Sequence, residues 1–299
     1  MIEFRRFDLD PTIVAPIIYR NEPQRTTEMG VVLPPQVRLE LSNLLQIYTD
    51  HFVEQYYRID AHFTADKLYV LEINTGFADG WGTALNLSRA AGIAILKEPL
   101  YAFPEKVACM DPDYLPEARL FVQEMADIPL TIDRIVHWDG LDEPSDELYV
   151  YGRVKSKFIN VYPLFGYERD NKLNLAHFAQ KWSGKRVVIP RHYVCDLAGW
   201  DDIPSDAVLK FCEKENEESR VARASVIIGK PLGKAQFLRR CFSERKLIAQ
   251  ERIYPTRHEA MNCQLIILAR DSDVITRYVQ YSEKEIINDN SIHGPLLIE

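Results

Sequence analysis

Within "YYRIDAHFTADKLYVLEINTG", residues 56–76, four polar side chains recur at strand spacing: Arg58, Asp60, Glu72 and Asn74. Residues two apart on a strand share a face, so Arg58 projects with Asp60, and Glu72 with Asn74, while Ile73 turns to the core. If the two runs pair, Asp60, Glu72 and Asn74 bring three oxygen-bearing groups to one face. Hard cations such as Mg2+ take oxygen ligands of this kind, commonly beside nucleotide phosphates. Arg58 on the same side suits a phosphate or a developing oxyanion. The bland alternative is a solvated strand pair with ordinary surface polar groups.

The pattern around this stretch supplies the elements that must position it. "PPQVRLELSNLLQIYTDHFVEQYY" has apolar residues near helical period, with Pro34 and Pro35 at its start. Strands are expected over 58–63 and 68–73, joined by "TADK". Gly76, Gly80 and Gly82 punctuate a loop before a short helix, "TALNLSRAAGI", that stops at Gly92. Further on, "EKVACM", "IDRIVHW", "ELYVYGRV" and "KFINVYPLF" read as strands, and "PDYLPEARLFVQEMA" as a helix. "NKLNLAHFAQKW" reads as a helix, followed by short β segments at "KRVVIP", "DAVLKFC", "SVIIGKP", "KLIAQERI", "NCQLIILAR" and "DVITRYVQY". A basic helix, "GKAQFLRRCFSE", interrupts them, and the end, "IINDNSIHGPLLIE", reads as loop. The mixture is α/β (α+β).

Composition narrows the class. At 299 residues, 46% hydrophobic and 27% charged, the chain can bury substantial cores in two or more subdomains. No apolar run approaches the roughly 20 residues of a membrane helix. The start, "MIEFRRFDLDP", has no apolar signal-like region, and the five dispersed cysteines suggest reduced thiols, so a cytoplasmic location is expected. A net charge of −8 argues against general nucleic-acid binding. Between Arg220 and Arg257, however, ten basic residues face two acids, which suits either a phosphate-binding lobe or a plain basic surface. Homodimers are expected only on base rates.

"RID…LEINTG", with the glycine-containing loop and helix after it, resembles the R-x-D…E-x-N signature of ATP-grasp enzymes. The resemblance implies that Asp60, Glu72 and Asn74 hold Mg2+ ions bridging ATP phosphates, and that Arg58 faces the reacting carboxyl-phosphate. In most of that superfamily the signature lies near the C-terminus; here it comes early. A circularly permuted ATP-grasp fold accounts for the order, as in glutathione synthetase and glutathionylspermidine synthetase-like proteins. The implied segments are 1–30, of unknown role; 31–100, the metal-binding part of the C-lobe; 101–170, a pre-ATP-grasp-like unit; 171–255, the N-lobe and hinge; and 256–299, the rest of the C-lobe.

By the same resemblance Lys172 and Lys210 contact phosphates, and "LIAQERI" forms the hinge, with Gln250 and Glu251 near adenine and Ile253 or Leu247 on its face. Glu259 becomes a ribose contact. Where many relatives carry a glycine-rich phosphate loop, this chain has "EKENEESRVARA", whose Glu213, Glu215 or Glu217 suit a further metal ligand or a solvated loop. Lys230 and Lys234, beside Gly229 and Gly233, are further phosphate candidates. His62 reads as structural, and Trp81 either shapes the acceptor pocket or packs. The implied activity is ATP-dependent carboxylate–amine ligation through an acyl phosphate, ADP-forming, on small-molecule or peptide substrates. No convincing nucleophile–base set argues against it. The alternatives are a non-catalytic nucleotide- or peptide-binding relative and a kinase on the same fold.

Overall fold

The computed structural model describes residues 1–15, 17–19, 22–52, 55–75, 78–126, 135–152, 158, 160–162, 171–213, 217–287 and 291–299. The described strands begin with β1 (Glu3–Arg6), β2 (Ile17–Tyr19), β3 (Glu22–Gln24), β4 (Met29–Leu33), β5 (Tyr56–Phe63) and β6 (Leu68–Asn74). There follow β7 (Lys106–Cys109), β8 (Leu148–Tyr151), β9 (Val161–Tyr162), β10 (Val187–Val188), β11 (His192–Tyr193) and β12 (Val208–Phe211). The last are β13 (Val226–Ile228), β14 (Leu247–Gln250), β15 (Arg257–His258), β16 (Met261–Arg270), β17 (Asp273–Ser282) and β18 (Ile292–Ile298). The described helices are α1 (Pro35–Phe52), α2 (Trp81–Ala90), α3 (Leu115–Met125), α4 (Lys172–Phe178), α5 (Glu217–Ala222) and α6 (Ala235–Ser243).

A large mixed sheet runs β1-β4-β18-β17-β16-β5-β6-β10, with β15 paired to the start of β16. The pairs β4–β18 and β6–β10 are parallel and its other pairs antiparallel. One face buries Tyr57, Ile59, Val70, Ile73 and Leu265 beneath α1 and α4. The apolar stripe of α1, Val37, Leu41, Leu44, Leu45 and Tyr48, supplies that cover, as its helical period requires. On the other face, α2, α3 and a three-stranded parallel sheet, β7-β8-β9, close an aromatic core containing Tyr56, Trp81, Phe103, Phe121 and Tyr149. A separate four-stranded antiparallel sheet, β11-β14-β12-β13, is backed by α6.

The expected segments 1–30, 31–100 and 256–299 all contribute strands to the large sheet. The most substantial departure from the sequence reading is at the end of the chain. "SIHGPLLIE" was expected as loop, yet β18 is a central strand, antiparallel to β17 and parallel to β4. The Gly294-Pro295 pair reads locally as a breaker, but Gly294 meets a packing demand. A side chain at Gly294 would collide with the Met29 carbonyl, and one at Gly30 with the Pro295 carbonyl. The two strands approach too closely there for a Cβ. Of "IDRIVHW", residues 132–134 lie outside the described set, and Val136 makes an isolated bridge to Ala108. The turn at 64–67 closes as expected, Thr64 N donating to the Lys67 carbonyl at 2.8 Å.

Candidate functional site

Strands β5 and β6 pair so that Asp60 lies opposite Glu72 and Arg58 opposite Asn74. All four occupy one face, as their spacing requires. The face is kept by a bulge: Ala61 pairs with Val70, so Leu71 is the extra residue in β6. Without it, Val70 and Glu72 would share a face, and either a carboxylate would enter the core or Val70 would leave it. Outside the regular register, the Leu71 carbonyl accepts from Lys210 Nζ at 2.9 Å and Gln250 Nε2 at 3.0 Å. Strand β10 covers β6 only at Leu68 and Tyr69, which leaves this edge open to the four-stranded sheet.

On β12, Leu209 and Phe211 bury against α6, so Val208 and Lys210 turn the other way. They line a cleft between the two sheets. Its walls include Asp60, His62, Leu71 and Glu72 from the large sheet and Val208, Lys210, Val226 and Ile228 from the smaller one. The connecting stretch Gln250–Ile253 and the rim residue Glu285 complete it. The structure therefore brings Asp60, Glu72, Lys210, Gln250, Glu251 and Ile253 to one cleft. Lys172, the first residue of α4, reaches Glu72 from behind, with Nζ to Oε1 at 2.5 Å. Lys172, Glu72 and Lys210 also line a smaller cavity under the β6 edge.

Each charge here has a local counterpart. Arg58 Nε donates to Asp60 Oδ1 at 3.0 Å, and its Nη1 donates to Asp79. Asn74 is buried and its Nδ2 donates to the Arg58 carbonyl at 3.4 Å. Burial pushes Lys210 down from 10.5 to about 8; Glu72 and Asp60 oppose that shift and Lys172 adds to it. His62 Nδ1 donates to the Ile253 carbonyl at 2.9 Å, and Gln250 Nε2 donates to His192 Nε2 at 2.9 Å. Burial holds His62 at about 4 and His192 at about 3, so both rings are neutral at pH 7. His62 is thus structural, as expected, because it fixes the stretch that lines the cleft.

These histidines predict an acid sensitivity. Their folded-state values lie below the unfolded value of 6.5, so the stability they permit is complete above pH 6.5 and is lost as pH falls toward 4. Shifts of this size correspond to roughly 3–5 kcal/mol per ring. Urea midpoints at pH 7 and pH 5 should differ steeply in the wild type and less in His192→Gln.

Two carboxylates and a carboxamide in this register fit a hard cation. Among the described residues no three His, Cys, Asp or Glu side chains come close enough to hold a metal on their own.

Other candidates lie elsewhere. Glu259 is at the β15–β16 turn with φ 53° and lines a different cleft with Arg6, Glu28, His258 and Tyr281. The antiparallel β15–β16 hairpin turns it away from the first cleft. Leu247 is buried against α6. Trp81 is fully buried, with Nε1 donating to the Ala78 carbonyl and the Tyr149 hydroxyl, which is the packing role. The basic stretch is largely spent on local partners. Arg239 pairs with Asp201, Arg245 with Asp196 and Lys246 with Glu218, while Lys230 and Lys234 donate to the carbonyls of Trp200 and Ala222. Of its basic residues only Arg252 lines the cleft, held by Glu285 at 2.6 Å. Glu215 falls outside the described residues; Glu213 and Glu217 are exposed, and neither lines the cleft.

Asp79 and the Leu71 carbonyl escaped the sequence reading. The uneven spacing of Leu68, Val70 and Ile73, two residues and then three, signals the bulge. Nothing comparable marks Asp79 beyond an acid in the glycine loop.

No helix among the described residues is long and apolar enough to cross a membrane. No protein-family model and no curated protein matches the chain. Among solved structures it is similar to a proposed gamma-glutamylcysteine synthetase from Methylobacillus flagellatus KT, at 11% identity and a TM-score of 0.48, over 87% of this chain and 85% of that one. The likeness is one of outline.

Proposed function

We propose that the cleft between the two sheets binds Mg·ATP and that the protein is an ATP-dependent carboxylate–amine ligase of permuted ATP-grasp architecture. One observation carries this reading: Asp60 and Glu72 share a single cleft with Lys210 and the Gln250–Ile253 stretch, although they are far apart in sequence. Val208, Val226 and Ile228 offer an apolar wall for a base, and Lys210, which lines the same cleft, interacts electrostatically with Glu72 and Asp60. The cation would be held by Asp60, Glu72 and Asn74 and would neutralise phosphate charge.

In this scheme Lys210 and Arg58 stabilise the terminal phosphoryl group as a substrate carboxylate receives it. ADP leaves in that first step; an amine then attacks the acyl phosphate, losing a proton and displacing phosphate as the C–N bond forms. Positioning and charge stabilisation supply the catalysis, and no side-chain nucleophile is needed. Nucleotide binding without turnover is the second reading. It is favoured by α5, an acidic helix in the connection between β12 and β13, where many ATP-grasp proteins carry a glycine-rich loop.

ADP release with pooled amino acids, small carboxylates and amines separates the two. Release stimulated only by a carboxylate–amine pair is expected. Silence across the pools with Mg·ATP still bound leaves the binding reading.

A further inference from the structure

Arg58 draws on Asp60 twice, Nε to Oδ1 at 3.0 Å and Nη2 to Oδ2 at 3.5 Å. In the Mg·ATP reading, on which this inference rests, the same carboxylate must also supply oxygen to a divalent cation. An arginine anchored by Asp60 alone would compete with the cation for those oxygens, and the cation's charge would repel it. A second anchor on another element removes that conflict. Asp79 is such a group, for Arg58 Nη1 donates to it.

The link carrying Asp79 is fixed independently of the cation face. The preceding carbonyl, Ala78, accepts from Trp81 Nε1 at 3.0 Å and from the Tyr149 hydroxyl at 2.7 Å, all buried. The following residue, Gly80, has φ 94°, and a Cβ there would stand 2.8 Å from the Tyr278 hydroxyl. Only glycine meets both conditions without strain. The next turn is tied down by Glu117 of α3, whose carboxylate accepts from Gly82 N at 2.7 Å and Thr83 Oγ1 at 2.7 Å. It thus serves the open N-terminus of α2, which its own N-cap, Gly80, cannot serve with a side chain.

We propose that Asp79 is a positioning residue that holds Arg58 in place when Asp60 turns to the metal, so that one carboxylate is not asked to serve two cations. Removing Asp79 makes Arg58 rely on Asp60 and weakens cation binding through that arginine.

The test is a double-mutant cycle read by Mn2+ binding, with electron paramagnetic resonance and a non-hydrolysable ATP analogue, so no substrate is needed. Asp79→Asn in the wild-type background should weaken Mn2+ binding about tenfold; in the Arg58→Gln background it should change it less than about twofold. A general charge or folding effect would move both backgrounds alike. Thermal unfolding confirms that each variant is folded, and Asp79→Ser serves in the same cycle if the Asn variant is not. Equal shifts in both backgrounds, or no shift, overturn the role of Asp79 alone. Failure of the wild type to bind Mn2+ with the analogue overturns the nucleotide reading itself, and Asp79's role with it.

Discussion

Glu72→Gln should reduce Mg2+-dependent ADP release at least ~100-fold, the scale on which a preorganised charge-stabilising group acts. The same substitution should destabilise the fold, because Glu72 has two duties. Its Oε1 lies 2.5 Å from Lys172 Nζ, and that lysine side chain is only 8% exposed. Taking away one partner of such a pair leaves an uncompensated ammonium, at a cost of about 3 kcal/mol. Adding Lys172→Met to Glu72→Gln should therefore restore the urea midpoint while turnover stays lost. If the double variant regained turnover, Glu72 would be a structural counterion and no metal ligand.

Lys210→Met should act in opposite directions on stability and on binding. Lys210 is buried, and its folded-state value of about 8 lies below its unfolded value of 10.5. The unfolded chain thus keeps the proton to higher pH. Stability rises as pH climbs from about 8 to 10.5 and is lost as pH falls back through the folded value. The span corresponds to roughly 3 kcal/mol. Methionine removes the buried charge, so the nucleotide-free variant should be more stable at pH 7 and insensitive over that window. Its affinity for Mg·ATP should fall ~10–100-fold, the loss expected for a charge-assisted hydrogen bond to phosphate. Phosphate should also restore the ammonium, so wild-type binding at pH 8.5 should take up a proton. Calorimetry in two buffers of different ionisation enthalpy reads that uptake, and Lys210→Met should abolish it.

Much of this arrangement was legible because it is local. Alternation around Ile59 and Ile73 fixed which side chains of β5 and β6 face together, and the register of Asp60 with Glu72 follows from pairing strands across a short turn once the extra residue Leu71 is counted. The same holds for β12, where Leu209 and Phe211 face the core and turn Lys210 outward. What depended on distant chain was not legible. The central place of β18 rests on its contact with β4, and Gly294-Pro295 looks like a breaker until that neighbour is present. The basic residues after Arg220 suited either a phosphate-binding lobe or a plain basic surface, and the sequence does not reveal that Asp196, Asp201 and Glu218 fold back to meet them. Glu259 was placed by its distance along the chain from the hinge, whereas the β15–β16 hairpin carries it to another cleft. Asp79 finds Arg58 only through the buried contacts of Ala78 and Trp81.

The most direct measurement is a structure of the protein with Mg2+ and a non-hydrolysable ATP analogue. The base should lie between Val208, Val226 and Ile228 and the Gln250–Ile253 stretch, with the phosphates passing Lys210 to cations held by Asp60, Glu72 and Asn74. An analogue bound anywhere else, or none at millimolar concentration, contradicts the account.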